Sequence, residues 1–354
     1  MNETASLFAI LRNFVDQPVA DAIETLVRDG SDRELCRVNA LSFAERHSLD
    51  EERTIAGFLH AASLGLFEIS WNVLCPGCGG VLETNASLKT VIKEEYVCAL
   101  CSAGYSPTLD ELVEVTFTVN PRVRRIAGHN PHELPMLEYL RQMYWGSGVA
   151  LPEENYEEVM DTIVLDSLEV PAGEKAVISL QFPAKFIIVF DAVTHTVQFV
   201  DVKGEPTKER QSIALVYDRG HAHSTTLEMR PGPVRISIEN RTDARVLPAV
   251  FIADDELHDL LLKRRPFLTA KPSKPGRKDA CILRVTPRVK KHAGADRGAE
   301  AKGERDDFPW LFAEDSDVGV QDFPGGAGFK GRRYNDFHYT RAFKQRARDA
   351  RSKK

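Results

Sequence analysis

Four cysteines in the pattern C-x2-C-x19-C-x2-C, namely Cys75, Cys78, Cys98 and Cys101, are the residues of this chain best suited to chemistry. Cysteine pairs two residues apart are the usual ligand spacing of a tetrahedral zinc site. Each pair sits in a short turn, Cys75-Pro76-Gly77-Cys78-Gly79-Gly80 and Cys98-Ala99-Leu100-Cys101. Glycine and small residues there let backbone N–H groups approach metal-bound sulfurs. Four thiolates fill the sphere of Zn²⁺, so the ion would join two hairpins and would not activate water. The expectation is a structural zinc ribbon. Reduced or disulfide-bonded cysteines are the competing reading, which the paired spacing disfavours. Cys36 and Cys281 have no spacing partners and fit ordinary thiols of a reducing compartment.

Other constellations carry less. His221-Ala222-His223 with Glu228 resembles half of a cupin motif that would give iron or manganese three ligands. A cupin needs a further histidine on a later strand, and the only one downstream in the sandwich region, His258, falls in a predicted helix. A turn with solvated histidines is therefore expected. His129 and His132 lie among prolines and read as a polar loop. There is no G-x-S-x-G elbow, no phosphate loop and no G-x-G-x-x-G after a strand. The glycines of Gly325-Gly326-Ala327-Gly328 read as linker. No enzyme is expected.

The elements that would position the cysteines follow from periodicity. Helical spacing over Leu7–Phe14 and Pro18–Val27, then 40–47 and Glu51–Ser63 with a Ser48/Glu51 capping box, reads as helix-turn-helix. A strand over Leu66–Val73 would complete a winged helix. Its second helix opens Asp50-Glu51-Glu52-Arg53, and three carboxylates facing DNA phosphates would repel, so protein contact is favoured over DNA. Residues 111–119 alternate, with Val113, Val115, Phe117 and Val119 on one face. A helix is expected over Leu134–Trp145. From 161 to 252, seven short runs of period two separated by turn residues predict an antiparallel β-sandwich. An amphipathic helix over Asp254–Arg265 would end in Lys263-Arg264-Arg265.

The formal net charge is −6, unevenly spread. Residues 272–354 carry 20 Lys+Arg against 12 Asp+Glu (+8), leaving 26 against 40 (−14) in residues 1–271. Proline, glycine and charge predict disorder there. The segment Arg341–Lys354 could form a basic helix on RNA, DNA or an anionic surface, although a solvated tail is expected. No run of 18 apolar residues and no leader pattern occurs, so a cytoplasmic protein without a membrane span is expected.

The order of helical unit, both cysteine pairs and Val115-Thr116-Phe117-Thr118-Val119-Asn120-Pro121-Arg122-Val123-Arg124 resembles an uncharacterised bacterial domain. That domain precedes class III adenylate/guanylate cyclase catalytic domains. Asp201–Thr207, Arg230–Pro233 with Glu239–Thr242, and Lys263–Lys271 extend the resemblance over the first three quarters. It implies a regulatory or partner-binding input module. The departure begins after Lys271, where 83 residues remain. These are too few for a cyclase domain with its two metal-binding carboxylates, which points to truncation or a shifted reading frame.

The expected architecture is α+β and multi-domain. It comprises a winged helix (1–73), a four-cysteine zinc ribbon (74–120), a helical connector (121–160), a β-sandwich (161–252), a linker helix (253–271) and a low-order basic tail (272–354). The expected function is non-catalytic binding of a protein partner or small effector. The alternatives are an enzyme, as a divergent cyclase or cupin-like metal site, and nucleic-acid binding through the winged helix or tail.

Overall fold

The computed structural model describes residues 3–86, 96–101, 103–105, 113–218, 225–253, 257, 263–274 and 277–285. Helices α1 (Glu3–Leu11), α2 (Gln17–Asp29), α3 (Ala40–Arg46) and α4 (Glu51–Ser63) turn Phe8, Ile23, Phe43 and Phe58 into one core. Its other wall is made by β1 (Phe67–Leu74) and β5 (Val113–Val119), whose four predicted inward residues are all buried. Phe58 stacks on Phe117 at 5.1 Å and meets Phe43 and Phe67 edge-on at 5.2 and 5.4 Å. Helices α2 and α4 touch closely at Gly57, where a Cβ would lie 2.6 Å from Val19 Cγ1.

Phe117→Ala should therefore cost about 3–5 kcal/mol, the usual penalty for emptying a buried aromatic site. Urea titration would register it as a lower midpoint at unchanged slope. A loss below about 1 kcal/mol would deny Phe117 its place at the centre of this core.

Two local expectations change. The helix-turn-helix spacing is present, but α4 is capped by Asp50, which accepts the Arg53 N–H at 3.0 Å, and not by Ser48. Ser48 stands in the left-handed region at φ 53 and belongs to the preceding turn. Glu51 and Glu52 occupy the first turn, where the helix dipole favours anions. Strand β1 also continues past residue 73 and joins β2 (Val81–Asn85), β5, β14 (Leu268–Lys274) and β15 (Arg277–Val285) in the order β15-β14-β5-β1-β2. The helical unit thus shares its core with strands from distant parts of the chain.

The low-order segment expected from residue 272 is corrected to the same extent. Thr269 pairs with Glu114 of β5, Leu268 is buried, and β14 pairs with β15 as far as Val285. Pro272 is tolerated because it lies past the single pairing with β5 and beside a register shift. The linker helix is corrected as well. Leu257 is helical, but residues 263–267 are not, and Arg264 forms an isolated bridge with Val149. Over 134–145, α5 (Met136–Tyr139) passes directly into a π turn at Leu140–Tyr144, and Trp145 is extended.

The seven predicted runs are strands β7 (Lys175–Phe182), β8 (Phe186–Asp191), β9 (Thr196–Val202), β10 (Gln211–Tyr217), β11 (Leu227–Met229), β12 (Gly232–Asn240) and β13 (Pro248–Ala253). One sheet runs β10-β12-β7; the other runs β11-β9-β8-β13-β6, with β6 at Val164–Ser167. Val234, Ile236 and Ile238 of β12 share a core with Ile187 and Val189 of β8. The pairing is not wholly antiparallel: β10–β12 and β11–β9 are parallel. The chain alternates between sheets here, so each strand returns to its own sheet by a crossover in the same direction.

The larger sheet is buried on both faces. Ile188 and Phe190 of β8, with Val197 and Phe199 of β9, turn away from the sandwich into a third core. That core also contains α6 (Tyr156–Ile163), Tyr144, Trp145 and all four clustered cysteines.

Candidate metal centre

The first cysteine pair lies in the turn between β1 and β2. Cys75 N–H donates to Gly80 O at 2.8 Å, and Gly79 N–H donates to Cys75 O at 2.9 Å. Gly79 sits at φ 76, and a Cβ there would lie 2.6 Å from Val149 Cγ2, so conformation and space both favour glycine. The Gly80 N–H reaches Cys78 Sγ at 3.4 Å, the sulfur contact that small turn residues permit. The second pair comes from the hairpin of β3 (Tyr96–Cys98) and β4 (Ala103–Tyr105), with Cys101 in its turn.

All four Sγ atoms lie within 4.8 Å of one another, and the cysteines are 1–2 % exposed. Cys75 and Cys101 Sγ are 3.6 Å apart, and Cys78 and Cys98 Sγ are 3.7 Å apart. A disulfide would need about 2.05 Å. Four sulfurs about 2.3 Å from a central ion in a tetrahedron stand about 3.8 Å apart. The cluster could therefore hold a metal ion, and it has the size of a tetrathiolate cage.

Electrostatics make the metal-free cage unfavourable as a set of four anions. Hydrogen bonding with Cys101, Cys78 and Cys98 pushes the Cys75 thiol down, whereas Cys101, Cys75 and burial push Cys78 well up. A cation at the centre reverses that preference, since it is bound by thiolates and not by thiols. Arg264 supplies an outer cation: its guanidinium donates to Gly77 O at 2.9 Å. Burial pushes Arg264 down, and the sulfurs of Cys78, Cys75 and Cys101 oppose that shift.

The cage is anchored to the sandwich by Tyr144. Its hydroxyl is 3.9 Å from Cys78 Sγ, and its ring packs edge-on against Phe190 at 5.0 Å. Burial, then the charge of the surrounding sulfurs, pushes the Tyr144 phenol well up, so it stays a neutral packing group. Trp145 forms a bridge with Gly80, and Gly146 N–H donates to Gly79 O at 2.9 Å. Spacing of cysteines could not reveal these supports. The Trp145-Gly146-Ser147-Gly148 turn was the visible signal for close backbone approach, and Lys263-Arg264-Arg265 was legible only as charge.

The other candidates are dispersed. His221 and His223 lie outside the described residues, as do the 325–328 glycines and the 341–354 basic segment. Glu228 is an exposed residue of β11 whose carboxylate accepts Lys203 Nζ at 2.8 Å. His129 is structural: its Nδ1 accepts the Ile126 N–H at 3.1 Å, and its Nε2 is 2.7 Å from Val119 O. His132 is exposed in a separate short turn. Burial pushes the Cys36 thiol up to about 11, which keeps it an unreactive thiol at neutral pH. Among the described residues no helix is long and apolar enough to cross a membrane.

Comparison with curated proteins and with solved structures returns no match. Residues 1–273 match a family of unknown function, DUF5939, a span that takes in the cysteine cage, the sandwich and β14 as far as residue 273, and the chain belongs to that family.

Proposed function

We propose that this chain is a non-catalytic regulatory module that binds a protein partner or a small effector on a scaffold closed by structural zinc. The observation that carries the reading is the cage of four buried thiols. Zn²⁺ suits four thiolates at this spacing, and a completed tetrahedron offers no site for water or substrate. The complex would carry a formal charge of −2, which Arg264 and the Gly80 N–H partly offset. In a cytoplasmic setting, the helix-turn-helix unit would serve, as in a winged helix, for protein contact. The resemblance to domains ahead of class III cyclases supplies the output: effector or partner binding would control cyclic-nucleotide synthesis in a partner protein.

The purified chain, supplied with ATP or GTP and Mg²⁺ or Mn²⁺, should form neither cyclic AMP nor cyclic GMP. Product above a metal-free control would overturn the non-catalytic reading.

A further inference from the structure

A cavity of about 330 Å³ opens beside the cysteine cage, between the α2–α3 loop and the segment from Arg141 to Leu151. That volume is at the lower end of small-molecule sites. Its wall carries Arg33, Arg37, Arg46, Arg141 and Arg265 against Glu34 and Glu153, a formal net charge of +3. The acids do not neutralise it. Arg46 pairs with Glu34 at 3.5 Å and Arg265 with Glu153 at 3.7 Å, both partly exposed contacts. Arg141 is occupied by the carbonyls of Pro152 and Glu153 and lies over the Tyr156 ring. Burial, followed by the like charge of Arg33, pushes Arg141 down.

The polar lining adds direction. Ser31, Ser42 and Ser147 line the same wall, the Ser31 hydroxyl donating to Glu34 at 2.8 Å and the Ser147 hydroxyl to Glu114 at 2.7 Å. Gln142 and Trp145 also line it, are 7 % and 8 % exposed, and keep Gln142 Oε1 and Trp145 Nε1 without a hydrogen-bond partner. An unmade buried hydrogen bond is unfavourable, so a molecule that brings an acceptor for the indole N–H and a donor for the amide oxygen would relieve both. Guanidinium forks match tetrahedral oxyanions, and several of them around one small space call for more than one negative charge.

We infer that this cavity binds a small phosphorylated molecule that also bears a hydroxyl or amino group, of the sugar-phosphate or nucleotide class. The inference rests on the proposed regulatory reading and supplies its effector. A ligand held there would touch the helical unit through Arg33 and Arg46, and the segment bridged to the cage turn through Trp145. It would thus join two of the three cores.

Isothermal titration of the full-length zinc-loaded chain tests this with AMP, ribose 5-phosphate, inorganic phosphate and citrate. AMP or ribose 5-phosphate should bind at least about tenfold tighter than inorganic phosphate and citrate, since only they join a phosphate group to separate sugar hydroxyls that can reach the amide oxygen while the phosphate meets the guanidiniums. Raising NaCl from about 50 to about 500 mM should weaken that binding markedly. Arg33→Gln and Arg265→Gln, both at partly exposed positions, should each weaken it about tenfold. Arg33→Lys, which keeps the charge and loses the fork, should fall between. Absence of binding, affinity insensitive to salt, variants that bind like wild type, or citrate binding equally well would each overturn the inference. The salt series needs no variant, so a poorly folding mutant cannot shield it. Nucleotide recovered unchanged leaves the non-catalytic reading intact; its conversion would overturn that reading and leave the site standing.

Discussion

Cys78→Ser should abolish metal binding and loosen the whole region between the two hairpins, with a larger stability loss than Phe117→Ala or any change to Glu114. Structural zinc contributes on the order of 10 kcal/mol of apparent binding free energy to small tetrathiolate-type sites, and that binding is coupled to folding. Here the cage is part of the core that includes Tyr144, Trp145, Phe190 and Tyr156. Its loss should therefore reach beyond the cysteine turns to the outer face of the larger sheet. Limited proteolysis should show new cleavage between residues 75 and 105, and the melting transition should fall or split. Cys36→Ser is the control, because that thiol lies in a different core. A Cys78→Ser protein that melts like wild type and resists protease would contradict a structural role for the cage.

Glu114→Ala should rank with Phe117→Ala, at about 3–5 kcal/mol, the range for removing one partner from a buried charged network. Alternation along β5 places Glu114 on the polar face, yet Glu114 and Thr116 on that face are fully buried. Its carboxylate accepts Asn72 Nδ2 at 3.0 Å, Ser147 Oγ at 2.7 Å and Gly148 N–H at 3.2 Å. One side chain thus ties the first sheet to the turn that follows Trp145. Alanine would strand all three donors. Glu114→Gln should cost far less, because the Asn72 amide can rotate to present its unpartnered Oδ1 to the new NH₂ group. Urea denaturation of both variants separates the cases; equal losses would mean that neither the shape of the side chain nor an amide in its place sustains the network, and that the carboxylate itself is required. Glu114→Ala should also weaken the anion cavity, since Ser147 and Trp145 line it.

Much of this fold was legible where the pattern is local. Seven strand runs, two short N-terminal helices and the helix-turn-helix spacing all follow from periodicity and turn residues, and they lie where expected to within a residue or two, except that α1 runs Glu3–Leu11 where Leu7–Phe14 was expected. The cysteine cage was legible because ligand spacing is a chemical constraint independent of the rest of the chain. What was not legible is long-range. Thr269 pairing with Glu114 depends on a strand arriving from 155 residues away, and no local signal in Leu268–Lys274, with its proline, announces that. The parallel pairing of β10 with β12 depends on which sheet the chain visits between them. The cavity is the strongest example: no motif or spacing links Arg33, Arg141 and Arg265, and only packing brings them to one wall.

Native mass spectrometry of the full-length protein, purified without added metal or chelator, decides whether the four thiols hold zinc. The chain should carry one zinc ion, retained under gentle conditions, and lost together with the main melting transition in Cys78→Ser. A chain free of metal, or carrying a Cys75–Cys101 or Cys78–Cys98 disulfide, with an unchanged fold would contradict the structural zinc cage.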